Sequence, residues 1–278
     1  MFYKAVGTTE SIPAPARTGG RRDGAGSHRI QIGRTPIDVV TFEAALERLE
    51  GLIDSGRGGM VFTPNVDHVV QAETDDDFAA AYAAADLSLV DGQPVVWSSK
   101  LLGTPLPGRV AGADIVLPLL ERAGERQWSV YLLGGRPGAA ETAAERVSEN
   151  LGVRVVGASG PVVPARPTTA QLAGIIAEVR EVQPDLLFVG LGAPKGELCC
   201  AALRSALPST VSISVGASID FLAGELPRAP RWMAKAGLEW SYRLAREPRR
   251  LWRRYLVNDR RFVGIVAREA RERRRSAA

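Results

Sequence analysis

The chain has 278 residues, of which 45% are hydrophobic and 24% charged, the proportions of an ordinary globular protein with a sizeable core. No apolar run approaches the roughly 20 residues of a membrane-spanning helix. The two cysteines, Cys199 and Cys200, are adjacent, which excludes a disulfide framework. A reducing cytoplasm is therefore indicated. The net charge of +4 conceals two opposite parts, because residues 226–278 contain 16 Lys and Arg against 5 Asp and Glu.

Residues 1–28 are predicted to form a disordered N-terminal segment, since they are rich in Gly, Ala, Pro, Ser and Arg and contain no apolar block of the signal-peptide type. Apolar runs of strand length then alternate with helix-length segments, the pattern of parallel βαβ units. The predicted strands are Met60–Thr63, Leu87–Val90, Ser129–Leu133, Arg154–Val156, Leu186–Val189 and Val211–Val215. The predicted helices are Phe42–Ile53, Asp75–Ala84, Ile115–Arg122, Ala139–Glu149, Ala170–Val182 and Gly196–Ala206.

This alternation predicts an α/β fold with an open, mostly parallel sheet and helices on both faces. Thr41 and Thr168 precede two of the helices and are predicted to cap them. A sheet of this kind binds its ligands at the carboxyl ends of the strands.

The basic tail has a helical pattern. Wound at roughly 100° per residue, residues 249–268 place their apolar side chains on one stripe and their arginines on the opposite arc. The stripe contains Leu251, Trp252, Tyr255, Leu256, Phe262, Val263 and Val266. Such a helix suits the interface of an anionic membrane, which is our first interpretation. Docking of the stripe on the chain's own core is an alternative, and nucleic-acid binding is a third.

Polar side chains and glycines follow the predicted strands. Thr63 and Asn65 follow the first strand, and Asp91 follows the second. Two Gly-rich loops lead into helices and could offer backbone N–H groups to a phosphate. They have neither the dinucleotide nor the P-loop spacing, so simple tight turns are the alternative. The candidates in these loops are Gly134, Gly135, Gly192, Lys195 and Glu197.

Asp91 is the best candidate for a general base, because a carboxylate at a strand end is held rigidly. The alternative is that it caps a helix predicted over residues 93–102. The acids at 75–77 are typical of a capped helix start, an interpretation that we prefer to a metal-binding cluster. A lone His68 completes no zinc set, so we predict neither a metal site nor a nucleophilic hydrolase.

Further motifs extend this pattern. They read TPNVDHVVQA (63–72), LSLVDG (87–92), PLPGRVAGADIV (105–116), LLGG (132–135), GLGAPKGE (190–197) and RAPRWMAKAGLEWSYRLAREPRRLWRRY (228–255). Together, in this order, they make the chain similar to the WecG/TagA/CpsF glycosyltransferases from about residue 33 to residue 268. The resemblance implies a Rossmann-like catalytic domain over residues 29–225 and a basic, membrane-associating helical appendage over residues 226–278.

The resemblance also implies roles for single residues. The family's catalytic aspartate falls on Asp91, with Thr63 and Asn65 as polar partners. Its substrate-binding arginines fall on Arg109, Arg228 and Arg243. The family's loop usually reads GAPKQE, whereas this chain has Gly196 at the Gln position, which leaves the donor sugar open unless backbone N–H groups and Glu197 suffice.

The implied reaction is an inverting transfer from a UDP-sugar, often UDP-N-acetylmannosamine, to a polyprenyl-diphosphate-linked sugar in bacterial surface-polysaccharide or teichoic-acid-type synthesis. Asp91 would take the proton of the acceptor hydroxyl, and helix N-termini, Arg109 and the tail arginines would compensate the charge of the departing UDP. No cofactor or metal is expected. The protein is expected in the cytoplasm, at the inner face of the cell membrane, and a homo-oligomer is compatible with the sequence.

Two rival interpretations remain. A non-catalytic module that binds a membrane or nucleic acid would explain the tail but not the polar residues after five strands. A nucleotide-dependent oxidoreductase is disfavoured by the spacing of both Gly-rich loops. Because a binding module leaves the polar residues after five strands unexplained, we expect no nucleic-acid partner.

Overall fold

The computed structural model describes residues 28–227, 229–230, 233, 239–253 and 259–276. Its centre is a six-stranded parallel sheet in the order β4-β3-β8-β7-β5-β6, and a separate antiparallel hairpin precedes it. The hairpin strands are β1 (Arg29–Ile32) and β2 (Thr35–Asp38). The sheet strands are β3 (Gly59–Phe62), β4 (Leu87–Ser88), β5 (Ser129–Gly134), β6 (Arg154–Ser159), β7 (Leu186–Gly190) and β8 (Val211–Ser214).

Helices cover both faces of the sheet. The helices of the Rossmann-like part are α1 (Phe42–Asp54), α2 (Val66–Ala72), α3 (Asp76–Ala83), α4 (Gln93–Leu101), α5 (Gly112–Arg126), α6 (Ala139–Leu151), α7 (Thr169–Val182), α8 (Lys195–Leu203) and α9 (Ser218–Ala223). The described helices of the basic tail are α10 (Glu239–Arg246), α11 (Pro248–Arg253) and α12 (Arg260–Ser276). The predicted α/β fold class is confirmed.

Buried side chains along each strand alternate between two cores. In β7, Leu186 and Phe188 pack with α1, α5, α6 and α9, whereas Leu187 and Val189 pack with α3, α7 and α8. This alternation follows from the two-residue period of a strand. It explains why the strands are continuous apolar runs in the sequence, since a parallel sheet is buried on both faces.

The two predicted threonine caps are present. Thr41 accepts the N–H of Ala44, and Thr168 forms a capping box with Gln171. At the acidic start of α3 the cap is Asp75, which accepts the N–H of Phe78 and pairs with Arg166 at 2.6 Å. The run of acids is therefore a helix start, as predicted.

The β1–β2 hairpin and the C-terminal helix α12 share a third core, which the sequence analysis did not predict. Phe262, Ile265 and Val266 of α12 are buried against the hairpin, α2 and α4. Polar contacts reinforce this packing, because Glu269 accepts the Gly33 N–H and Arg268 pairs with Glu73 at 2.6 Å. Helix α12 therefore contacts α2, the helix whose N-cap is the predicted site residue Asn65.

The predicted apolar stripe of the tail is divided by this arrangement. Phe262 and Val266 pack on the chain's own core, as the alternative interpretation holds, whereas Trp252 and Val263 are exposed. Residues 254–258, including Tyr255 and Leu256, lie outside the described residues. Of the helices in the described ranges, none combines the length and apolar character of a bilayer-crossing segment.

Replacing Ile265 by Val tests the docking of α12. We expect a loss of about 0.5–1.5 kcal/mol in the free energy of unfolding, because a buried methylene group is removed. Val263→Ala on the same helix is the control, since that side chain is 70% exposed and should change stability by less than about 0.5 kcal/mol. Urea unfolding of both variants measures this, and equal effects would contradict the observed packing.

Candidate active site

A cleft of about 380 Å³ opens at the carboxyl ends of the strands, where parallel sheets of this type bind their ligands. Its lining comes from the loops after β3, β4, β5, β7 and β8 and from the tail. The predicted site residues in the lining are Thr63, Asn65, Asp91, Gly135, Gly192 and Glu197. Residues from four separate motifs are therefore gathered in one cavity.

Thr63 and Asn65 lie in the short turn between β3 and α2. The Thr63 hydroxyl is buried and donates to the carbonyl oxygen of Ser214 at 3.3 Å. The Asn65 side chain caps α2 by accepting the N–H groups of Asp67 and His68 at 3.0 and 3.4 Å. Thr63 is thus held by the neighbouring strand β8 and Asn65 by the start of its own helix, and both side chains line the cleft.

Asp91 is positioned by its backbone and faces an arginine. Its N–H donates to the carbonyl oxygen of Pro64 at 2.8 Å, which joins the loops after β3 and β4. The N-cap of α4 is Gly92, so Asp91 lies one position before the cap that the alternative interpretation assigns to it. The Arg109 guanidinium lies 3.8 Å from the Asp91 carboxylate and 2.7 Å from that of Asp114.

The two Gly-rich loops are joined to each other. The Gly135 N–H donates to the carbonyl oxygen of Gly190 at 3.0 Å. A Cβ at Gly134 would lie 2.7 Å from the Gly190 carbonyl carbon, so Gly134 serves the close approach of β5 and β7. In the described part of the chain, the cleft lining includes neither Gly134, Lys195 nor Arg109.

Glu197 is a buried acid on the first turn of α8. Its side chain is 1% exposed, lines the cleft, and accepts the Ser214 hydroxyl at 3.0 Å. Gly196 beside it leaves room for that hydroxyl, because a Cβ at position 196 would lie 2.6 Å from the Ser214 Oγ atom.

Asp220 belongs to the site but was missed by the sequence analysis. Its carboxylate lines the cleft and accepts the Arg136 N–H at 2.7 Å, holding the loop after β5. Arg136 in turn pairs with Glu247 of the tail at 3.1 Å. The available signal was a carboxylate on the helix after a strand end, the same signal that selects Glu197.

A family model described as "Glycosyl transferase WecG/TagA/CpsF family" matches residues 30–276, from the hairpin to the end of α12. The chain is 31% identical over 240 residues to the N-acetylglucosaminyldiphosphoundecaprenol N-acetyl-beta-D-mannosaminyltransferase of Bacillus spizizenii strain W23, covering 86% of this chain and 90% of that protein. It is 32% identical over 205 residues to the enzyme of the same name from Bacillus subtilis strain 168, covering 73% and 77%.

The chain belongs to the WecG/TagA/CpsF glycosyltransferase family. The predicted family is confirmed, and with it the prediction that the protein is an enzyme that transfers a sugar. The match spans the Rossmann-like part and the tail, so α12 and the hairpin that it packs against are both within the family's common region.

The tail arginines that the family resemblance selects fall largely beyond the described structure. Arg228 lies outside the described residues, and Arg243 is described only as part of the backbone of α10. Their roles in this glycosyltransferase stay predictions.

Four further titratable side chains near the cleft are buried, namely His68, Tyr82, Cys199 and Cys200. His68 lines the cleft and its Nδ1 atom lies 2.8 Å from the Tyr82 hydroxyl. Burial, and then the charges of Glu197 and Asp91, raise the pKa of Tyr82 well above its usual value. Cys199 and Cys200 are free thiols, and burial raises the pKa of Cys199 to about 12. Within the described residues, no three His, Cys, Asp or Glu side chains are grouped to hold a metal ion.

Proposed function

We propose that this glycosyltransferase moves a sugar, with N-acetylmannosamine as the first candidate, from a UDP-sugar to a polyprenyl-diphosphate-linked acceptor in bacterial cell-surface polymer synthesis. The observation that carries the proposal is the gathering of Thr63, Asn65, Asp91 and Glu197 in one cleft at the carboxyl edge of the sheet. The names of both Bacillus relatives support the acceptor class, since they specify N-acetylglucosaminyldiphosphoundecaprenol.

Asp91 is the general base in this proposal. Its carboxylate takes the proton of the acceptor hydroxyl while the hydroxyl oxygen attacks the anomeric carbon of the donor from the face opposite UDP. The bond between that carbon and the UDP oxygen breaks, and UDP leaves with the electron pair, so the configuration inverts. Arg109, 3.8 Å from Asp91, orients the carboxylate.

The departing UDP needs positive charge and N–H donors. The N-terminus of α8 and the glycine loop at Gly192 face the cleft, and helix N-termini stabilise anions. Arg109 adds positive charge near Asp91, and the proposal assigns the same role to Arg228 and Arg243 of the tail, so the proposed chemistry requires no metal ion. Asp220 supports this arrangement by holding the Arg136 backbone.

The lipid-linked acceptor locates the proposed reaction at the cytoplasmic face of the membrane. The exposed Trp240 and Trp252 of α10 and α11, together with the basic charge of residues 226–278, support peripheral association through the tail. Trp side chains and arginines are favourable at an anionic interface.

A donor panel tests the proposed reaction. Purified protein is incubated with a short-chain prenyl-diphosphate-linked N-acetylglucosamine and several UDP-sugars in the presence of EDTA, and UDP release is measured. We expect release with one donor, UDP-N-acetylmannosamine first. Silence with every donor under EDTA, followed by release on addition of Mg²⁺ or Mn²⁺, would overturn the metal-independent mechanism, and silence under both conditions would overturn the proposed donor or acceptor class.

A further inference from the structure

Helix α4 carries an exposed apolar pair next to the candidate base. It begins two residues after Asp91, and its inward side chains, Val95 and Val96, are buried. Trp97 and Leu101 are 56% and 68% exposed, and side chains four residues apart lie on one face of a helix. Exposed large apolar side chains that adjoin each other mark an interaction surface more often than isolated ones do. We call Trp97, Lys100 and Leu101 the α4 face.

The end of the C-terminal helix borders this face. The Arg273 guanidinium donates to the carbonyl oxygen of Leu102 at 2.9 Å and to the Thr104 hydroxyl at 3.2 Å, immediately after α4 ends. The Arg273 side chain of α12 therefore reaches the C-terminal end of α4. The exposed side chains around it on α12 are Arg271, Arg274 and Arg275, with Glu272 as the exposed acid between them.

We infer that the α4 face and the adjoining arginines of α12 form a contact surface for an anionic lipid bilayer, separate from the tail helices α10 and α11. The inference rests on the proposed function, because a lipid-linked acceptor requires the cleft to meet a membrane. Trp and Leu would enter the interface while Lys100 and the arginines meet anionic headgroups.

Charge selects a bilayer over a second copy of the chain. A two-fold dimer formed through the α4 face would place two copies of the cationic border in one interface, where like charges that face each other disfavour association. An anionic surface has the complementary sign.

The position of α4 connects this surface to catalysis. Trp97 is five residues beyond Gly92, which corresponds to roughly 8 Å along the helix axis. Docking through the α4 face would therefore bring the Asp91 loop to the level of the lipid headgroups, where the diphosphate of a lipid-linked acceptor lies.

The double variant Trp97→Ser/Leu101→Ser tests the inference in the full chain. Binding is measured by co-sedimentation with vesicles of phosphatidylglycerol and phosphatidylcholine, and with vesicles of phosphatidylcholine alone. Loss of the exposed parts of two large apolar side chains should weaken binding to anionic vesicles by roughly ten- to a hundredfold. The matched control is Val182→Ser, a 37% exposed apolar side chain at the end of α7, which precedes β7 and therefore lies at the opposite edge of the sheet. We expect its binding to equal that of the original chain.

Four results would overturn the inference. They are unchanged vesicle binding by the double variant, an equal loss in the Val182→Ser control, equal binding of the original chain to neutral and anionic vesicles, and a dimer of the original chain that the double variant dissociates. The last would identify the α4 face as an interface between copies. Circular dichroism and a second variant, Leu101→Ser alone, separate these results from misfolding.

Activity in solution separates this inference from the proposed function. UDP release with the short-chain acceptor and no vesicles should be unchanged in the double variant, because its side chains do not line the cleft among the described residues. If the original chain releases no UDP from any donor, the proposed function fails. The vesicle measurement still tests whether the α4 face binds an anionic bilayer.

Discussion

Asp91→Asn is expected to lower kcat by about 10²–10⁴-fold, the usual range for loss of a general base. The amide keeps the shape of the side chain but cannot accept the proton of the acceptor hydroxyl. The Asp91 N–H bond to Pro64 and the glycine cap of α4 involve backbone atoms, so the fold should persist. UDP release with the short-chain acceptor measures the rate, and thermal unfolding checks the fold.

Asp114→Asn is the matched control for this loss. Asp114 contacts Arg109 at 2.7 Å, closer than the 3.8 Å of Asp91, but it is not among the cleft residues of the described structure. We expect at most about a fivefold decrease in kcat, because a partly exposed ion pair contributes about 1 kcal/mol or less. Equal losses in the two variants would mean that Asp91 acts by holding Arg109, and a nearly normal rate in Asp91→Asn would exclude it as the base.

Gly196→Gln, which introduces the usual family residue, is expected to reduce kcat/KM for the donor. A Cβ at this position would lie 2.6 Å from the Ser214 Oγ atom, so the Ser214 hydroxyl must turn away from Glu197. This clash would displace Ser214 and Glu197, which both line the cleft, and a misplacement of about 1 Å in a site can lower the rate by up to about 10²-fold. Steady-state kinetics with the best donor of the panel measures the effect.

An increase in kcat/KM for the donor is the alternative result for Gly196→Gln. If the Gln amide contacts the donor directly, Gly196→Gln should raise kcat/KM and leave the role of Ser214 unaffected. A second substitution, Ser214→Ala, distinguishes the two, because it removes the clashing oxygen while a Cβ at 196 keeps an ordinary 3.7 Å separation from the Ser214 Cβ. We expect the double variant to be more active than Gly196→Gln alone, with a coupling of about 0.5–3 kcal/mol. Additive effects would contradict a direct Gly196–Ser214 contact.

The main sheet could be predicted because its signals are local. Each strand is a short apolar run between polar turns, and the parallel arrangement follows from the helices between them. The β1–β2 hairpin was missed because its strands, RIQI and TPID, are not continuous apolar runs and adjoin the predicted disordered segment. Much of its support comes from α12, more than 200 residues away, as in the contact of Gly33 with Glu269.

The site residues that follow strand ends could also be predicted from the sequence. Thr63, Asn65 and Asp91 closely follow strand ends, and Glu197 lies on the first turn of the helix after β7, so the rule for parallel sheets selects them. Asp220 and Ser214 were missed because their roles depend on strand order. Ser214 meets Glu197 only because β8 lies beside β7, and Asp220 meets Arg136, 84 residues earlier, across the same edge.

The central position of β8 has a consequence for the newly made protein. In the described sheet, β8 lies between the β3–β4 pair and the β5–β6–β7 group. It spans Val211–Ser214 and emerges from the ribosome after all the other described strands. Until then the nascent chain holds two separate pieces of sheet with unpaired strand edges, which are prone to aggregation. Translation must also reach α12 before the hairpin at the beginning of the described chain is covered. Fragments that end before β8 therefore lack both a continuous sheet and a complete cleft, so sugar transfer requires that synthesis has passed β8.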